Sequence, residues 1–219
     1  MGQEVGEKNQ DSRLLHAPQL CIIRAMQCPY CQAVLSETTE ECPSCQLSLT
    51  SANALLGPAP RLYKGLNDTI GLLGNSGSKK IQSSLTNLTR KFPQVDMHVV
   101  VRDFDPQFPV STHLFWLFNQ GDLVADDRKG GKNRTILLSL DPRQGRIGLM
   151  VGYGLEPFLP RKALDHVLEK AQPSLDAADY TKAVIVVIES LDDLMSGVCE
   201  GLEETLGVSV QQQSTKQEY

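Results

Sequence analysis

The sequence predicts an α/β protein, a three-layer α/β/α sandwich around a small mixed sheet, preceded by a small cysteine-rich module. Three observations predict it. Thr135 to Leu140 and Arg146 to Val151 are short apolar runs joined by Asp141-Pro142-Arg143-Gln144-Gly145. Five turn residues ending in glycine make this an antiparallel hairpin with a longer loop. Val95 to Val101 is a further strand, short and rich in β-branched residues. Around these strands lie segments with apolar residues at helical spacing, which must cover both faces of the sheet.

In chain order, residues 1–20 are polar, lack periodicity and read as disordered. Leu20 to Met26 is a short strand leading into Cys28-Pro29-Tyr30-Cys31, which Cys42-Pro43-Ser44-Cys45 follows after ten residues. Each CxxC can form a knuckle that directs two thiolates toward one point, and four sulfurs suit tetrahedral Zn²⁺. Residues 21–49 therefore read as a short zinc ribbon with Cys28, Cys31, Cys42 and Cys45 as ligands. The rivals are a rubredoxin-like iron site and a redox dithiol. CPYC alone is a glutaredoxin-like dithiol sequence, but here QAVLSETTEE runs into a second CPxC instead of a long helix. A closed four-cysteine site has no open position for substrate, so the zinc would be structural. Little Lys or Arg lies between the pairs, and Glu37, Glu40 and Glu41 do. That favours a protein contact, or a purely structural role, over nucleic acid. Cys21 and Cys199 have no such partner and read as buried small hydrophobes.

Residues 50–60 are rich in small residues and end Gly-Pro-Ala-Pro, a linker before the main domain at 61–207. Gly74 to Ser78 reads as a flexible turn. Ile81, Leu85, Leu88 and Phe92 then repeat at helical spacing up to Pro93. His98 lies inside the 95–101 strand as a structural residue. Val110 to Phe118 fits a buried helix carrying the only tryptophan, Trp116, and a polar loop from Asn119 to Lys132 follows. After the hairpin, Gly152-Tyr153-Gly154 allows positive φ and close backbone approach. Arg161 to Lys170 forms a helix that Pro173 breaks. Asp179 starts the last long helix, whose stripe runs through Val184, Val187, Ile188, Leu191, Leu194, Met195, Val198 and Leu202. Gly207 ends it, and residues 208–219 form a disordered Gln-rich tail. No internal repeat is found. The sheet is expected to have three or four strands, with 95–101 and 135–140 parallel and 146–151 antiparallel.

A net charge of −5 and a pI near 5.4 argue against a general nucleic-acid binder. No apolar window is long enough to span a membrane. The polar N-terminus lacks a signal-peptide core, and Gly6 stands where myristoylation needs Ser or Thr. A reducing, cytoplasmic setting is the expectation, in which paired CxxC motifs favour metal over disulfides.

These residues resemble the TPM domain family over about 61–203. The resemblance is carried by Leu137 to Pro160, where a strand, an Asp-led turn, a second strand and Val151-Gly152-Tyr153-Gly154-Leu155-Glu156 follow in the family's order. Asn67-Asp68-Thr69-Ile70-Gly71-Leu72-Leu73 and Pro173 with Asp179-Tyr180 support it. The resemblance implies an α/β sandwich, and lumenal members of the family are linked to acid phosphatase activity and divalent-cation binding.

In an open α/β sheet, ligands favour the carboxyl ends of parallel strands. Asp68, Asp103, Asp105 and Asp141 fall at that rim and could hold Ca²⁺ or Mg²⁺. The bland alternative is that they are turn formers and caps. The opposite rim carries Asp126, Asp127 and Glu156 as a second candidate cation groove. Neither rim offers a cysteine nucleophile or a phosphate-binding loop. Two functions follow: a binding, scaffolding or assembly protein docking a partner through its zinc ribbon, or a metal-dependent (acid) phosphatase using a carboxylate rim.

Overall fold

A computed structural model of the chain describes residues 20–23, 27–36, 38–121, 123 and 131–206. Its centre is a five-stranded mixed sheet of β1 (Leu20–Ile23), β2 (Gly65–Asp68), β3 (Asp96–Val101), β4 (Thr135–Asp141) and β5 (Arg146–Val151), in the order β1-β5-β4-β3-β2. As expected, β3 and β4 are parallel and β4 and β5 antiparallel, with Asp141 opposite Arg146 at the turn. β2 pairs parallel to β3, and β1 pairs parallel to β5.

The central strands are buried on both faces because their sequences are nearly continuous apolar runs. One face presents Met97, Val99, Val101, Ile136, Leu138, Leu140, Ile147, Leu149 and Val151 to α2 (Gly74–Lys91), α4 (Arg161–Asp176) and α5 (Tyr180–Leu206). Alternate positions, among them Val100, Leu137 and Met150, face α1 (Leu49–Leu56) and α3 (Val110–Gln120). This is the three-layer α/β/α arrangement that the period-2 and period-3.6 patterns demand. Along α5 the buried positions Ala183, Val184, Val187, Ile188, Leu191 and Met195 follow i, i+3, i+4 spacing.

Five strands stand where three or four were expected. β2 reads Gly-Leu-Asn-Asp, with little β propensity, and is held by pairing with β3 rather than by its own composition. The 20–26 strand reads as the lead into the cysteine module, but its described part, β1, pairs with β5 and extends the main sheet. Residues read as a linker contain α1, started by a capping box in which Ser51 N–H donates to Ser48 Oγ and Ser48 N–H to Ser51 Oγ. Gly74 to Ser78 is not a turn but the first turn of α2. Asp68 accepts from the N–H groups of Leu72 (3.1 Å) and Leu73 (2.9 Å) and orders the entry to that helix.

Pro173 does not break α4, which continues to Asp176. The ring deprives the Glu169 carbonyl of a donor near the helix end, yet Ala171, Ser174 and Leu175 beside it are buried. Burial of that turn outweighs the lost bond. Asp179 does open α5, accepting from Lys182 N–H at 3.0 Å. Gly207, the tail from 208 and the N-terminal segment before Leu20 lie outside the described residues.

Candidate metal centre and carboxylate rim

Both cysteine pairs sit on the same backbone turn. In the first, Cys28 N–H donates to Ala33 O (2.8 Å) and Gln32 N–H to Cys28 O (2.9 Å). In the second, Cys42 N–H donates to Leu47 O (2.9 Å) and Gln46 N–H to Cys42 O (2.8 Å). Gln32 and Gln46 both take positive φ, 62° and 61°. Cys-Pro-x-Cys-Gln is thus a local repeat in sequence and in geometry, although no repeat was expected. The glutamine after each second cysteine was the available signal.

The two turns bring Sγ of Cys28 to 3.5 Å from Cys45 and Sγ of Cys31 to 3.6 Å from Cys42. All four sulfurs lie within 4.8 Å of one another. A disulfide needs about 2.05 Å, so these thiols are free. Tetrahedral ligation at Zn–S of about 2.3 Å places sulfurs roughly 3.8 Å apart, close to what is found. The Ala33 N–H draws the Cys31 thiol down to about 6, whereas burial pushes Cys45 up to about 12 and also raises Cys28. Four thiolates this close repel one another, and a bound cation is what would let them ionise together.

The cluster is built into the domain. Cys28 and Cys42 are 0% and 1% exposed and share a core with Leu62, Val100, Phe104, Leu114, Leu117 and Leu137. Two α3 hydroxyls, Ser111 Oγ and Thr112 Oγ1 (3.1 Å), donate to the Pro29 carbonyl inside the first knuckle. Neither was singled out from sequence; a Ser-Thr pair opening an otherwise apolar helix was the signal. Asn53 of α1 accepts from Trp116 Nε1 at 3.0 Å, tying the helices of this layer together.

The parallel register of β2, β3 and β4 does put Asp68, Asp103, Asp105 and Asp141 at one rim. Three of these carboxylates are otherwise engaged. Asp68 orders the start of α2, and Asp105 accepts from Gln107 N–H at 2.9 Å. Asp103 is exposed. Asp141 is fully buried and accepts from Arg143 N–H (3.1 Å), Gln144 N–H (3.3 Å) and Gln144 Nε2 (2.7 Å). Its burial raises the carboxyl above its ordinary range, with the Gln144 and Arg143 N–H groups opposing. Among the described residues, the cysteines form the only group of three or more His, Cys, Asp or Glu ligands that converges. On the other rim, Glu156 is half-buried, and Asp126 and Asp127 lie outside the described residues.

Two histidines pack in the α3 layer. His98 is buried with Nδ1 3.2 Å from Tyr63 O, and burial lowers its pKa. His113, read as part of an apolar helix, stacks on Phe104 with Nε2 3.0 Å from Asp105 O, and burial lowers its pKa too. Gly152 and Gly154 act through close approach and not through positive φ. A Cβ on Gly152 would lie 2.2 Å from Lys132 O, and one on Gly154 2.9 Å from Asn133 O. Cys199, expected to be buried, is exposed; the side chain of Cys21 is outside the described residues.

The fold and the site define an α/β-sandwich protein carrying a four-cysteine cluster that could hold a metal ion. The TPM domain family profile matches residues 66–194, more than half of the chain, and the chain belongs to that family. No curated protein matches it. Among solved structures, it is similar to the N-terminal domain of a protein from P. gingivalis, with 21% identity over 62% of this chain and 83% of that one, at a TM-score of 0.47. The N-terminal domain of a protein from Corynebacterium glutamicum is similar at 19% identity, over 62% and 82% of the two chains, with a TM-score of 0.46. Among the described residues, no helix is long and apolar enough to cross a membrane.

Proposed function

We propose that this is a binding and assembly protein in which a structural zinc ion organises Cys28, Cys31, Cys42 and Cys45 as a docking module for a protein partner. The observation that carries the reading is a contrast. The thiols converge at metal-ligand spacing, while Asp68, Asp105 and Asp141 of the first rim accept from backbone N–H groups and Asp103 is exposed. Two apolar side chains of the module, Tyr30 and Val34, are 45% and 80% exposed, and Glu40 and Glu41 are exposed as well. Exposed apolar and acidic side chains on one module suit a protein surface of basic character. Free thiols fit a reducing, cytoplasmic setting.

Elemental analysis of the purified chain should find one zinc per molecule; less than half an equivalent counts against the ribbon. Partner capture from a lysate should be lost in Val34→Asp while the zinc content stays at one. Loss of zinc in that variant would instead show that Val34 holds the module together.

A metal-dependent phosphatase is the second reading, favoured by the register that gathers four aspartates at one rim. Ca²⁺ or Mg²⁺ at that rim would supply the charge neutralisation that phosphoryl transfer requires. Hydrolysis of p-nitrophenyl phosphate with and without Mg²⁺ or Ca²⁺ separates the two readings, on wild type and Asp141→Asn. Absence of metal-dependent turnover in the wild type would sink the enzyme.

A further inference from the structure

The apolar stripe of α5 outruns the core. Met195 packs inward, but two turns later Leu202 is 43% exposed and lines a cavity of about 340 Å³. Val95, Leu155 and Met195, all buried core residues, also line it, and Phe158, 44% exposed, is beside it. Arg134 is the single charged side chain in the lining, with Gln94 and Cys199 as polar neighbours. Arg134 is exposed, and no ion-pair or hydrogen-bond partner for it occurs among the described residues.

We propose that this groove binds a small anionic amphiphile, a medium-chain alkyl monocarboxylate whose head pairs with Arg134 and whose tail lies between α5 and the 152–160 loop. The volume falls within the range of single-ligand pockets, with apolar walls and one orienting charge. A lone guanidinium matches a single negative charge in a bidentate pair, where a dianionic phosphate would call for more donors. Gly152 and Gly154 bring the loop's backbone against Asn133, so the arginine next to it and the Leu155–Leu159 wall keep a constant spacing. None of the four clustered cysteines lines the cavity, so the inference goes beyond the docking role and stands apart from it.

Isothermal titration of the full chain with hexanoate, octanoate and decanoate, and with octanol, tests it. One site per chain is expected, with Kd falling roughly threefold to fourfold for each added methylene. Octanoate should bind roughly tenfold tighter than octanol, and Arg134→Gln should erase that preference while leaving octanol binding unchanged. Leu202→Glu, a change at an exposed position, should abolish both. Several weak sites per chain, no saturable heat, or equal octanoate binding in wild type and Arg134→Gln would overturn the proposal. So would a dimer of the wild type that Leu202→Glu splits, since a second copy would then fill the groove.

Discussion

Gly152 carries more of the architecture than its size suggests. Its N–H donates to Thr135 O at 2.9 Å, continuing the β4–β5 pairing, and the strand end packs directly on Lys132 and Asn133. In Gly152→Ala the new Cβ would stand 2.2 Å from one carbonyl oxygen and 2.7 Å from another. Backbone has to move, because no side chain there can swing away. A loss of about 3 kcal/mol or more is expected by chemical denaturation, and a loss under about 1 kcal/mol would mean that the contact is loose. Asp141 makes a different prediction. Its folded pKa is raised by burial, so the folded state favours the protonated carboxyl. Below the ordinary carboxylate pKa both states hold the proton and the penalty vanishes. As pH climbs through the raised folded value the penalty is fully imposed, so this group's contribution falls with rising pH. Asp141→Asn stays neutral throughout and keeps an oxygen for the Arg143 and Gln144 N–H groups. Melting temperature against pH should flatten in the variant over that window; parallel wild-type and variant curves would refute the assignment.

Helix α4 shows how far a local rule yields to packing. A proline inside a helix costs about 3 kcal/mol relative to alanine, less toward the end where fewer bonds depend on it. Pro173→Ala restores a donor to the Glu169 carbonyl and should stabilise the chain by about 1–3 kcal/mol, read as a higher melting temperature. A lower melting temperature would show that the ring itself packs against the buried turn. The same competition explains which elements could be read from sequence. β3, β4 and β5 are legible because each buries apolar side chains on both faces and is too short to be anything but a strand. β2 is not, because Asn67 spends its side chain on the Tyr63 loop, accepting from Tyr63 N–H at 2.7 Å and donating to Tyr63 O at 2.8 Å. α1 hides behind small residues, and its capping box uses serine where glutamate or glutamine is the usual signal. The cysteine cluster was legible from spacing alone, since two knuckles need no distant residue to form. The aspartate rim was legible only as a position. What each carboxylate bonds depends on loops that no periodicity describes.

On the scale of the molecule, the cysteine cluster belongs to the core of the α3 layer and not to a separate tethered unit. Cys28 and Cys42 lie in the same apolar cluster as Leu114, Trp116 and Leu117 of α3, and Ser111 and Thr112 grip the first knuckle by its Pro29 carbonyl. A small metal module with little core of its own unfolds without its ion. Sharing a core changes what that unfolding does. Structural zinc typically contributes about 10–16 kcal/mol of apparent binding energy, and a domain's whole stability is about 5–15 kcal/mol. Removing the ion should therefore weaken the α3 layer along with the knuckles. Trp116, the only tryptophan, is 2% exposed and bonded to Asn53 of α1, so it reports on that layer. Chelation of the zinc-loaded chain should shift Trp116 emission to the red and lower the melting temperature within one cooperative transition. If the cluster were an appendage, chelation would leave the tryptophan emission unchanged and split off a minor early transition, while the sheet melted at its original temperature. Cys42→Ser should reproduce the chelated behaviour without chelator, because it takes one thiol from the proposed ligand set at a buried position.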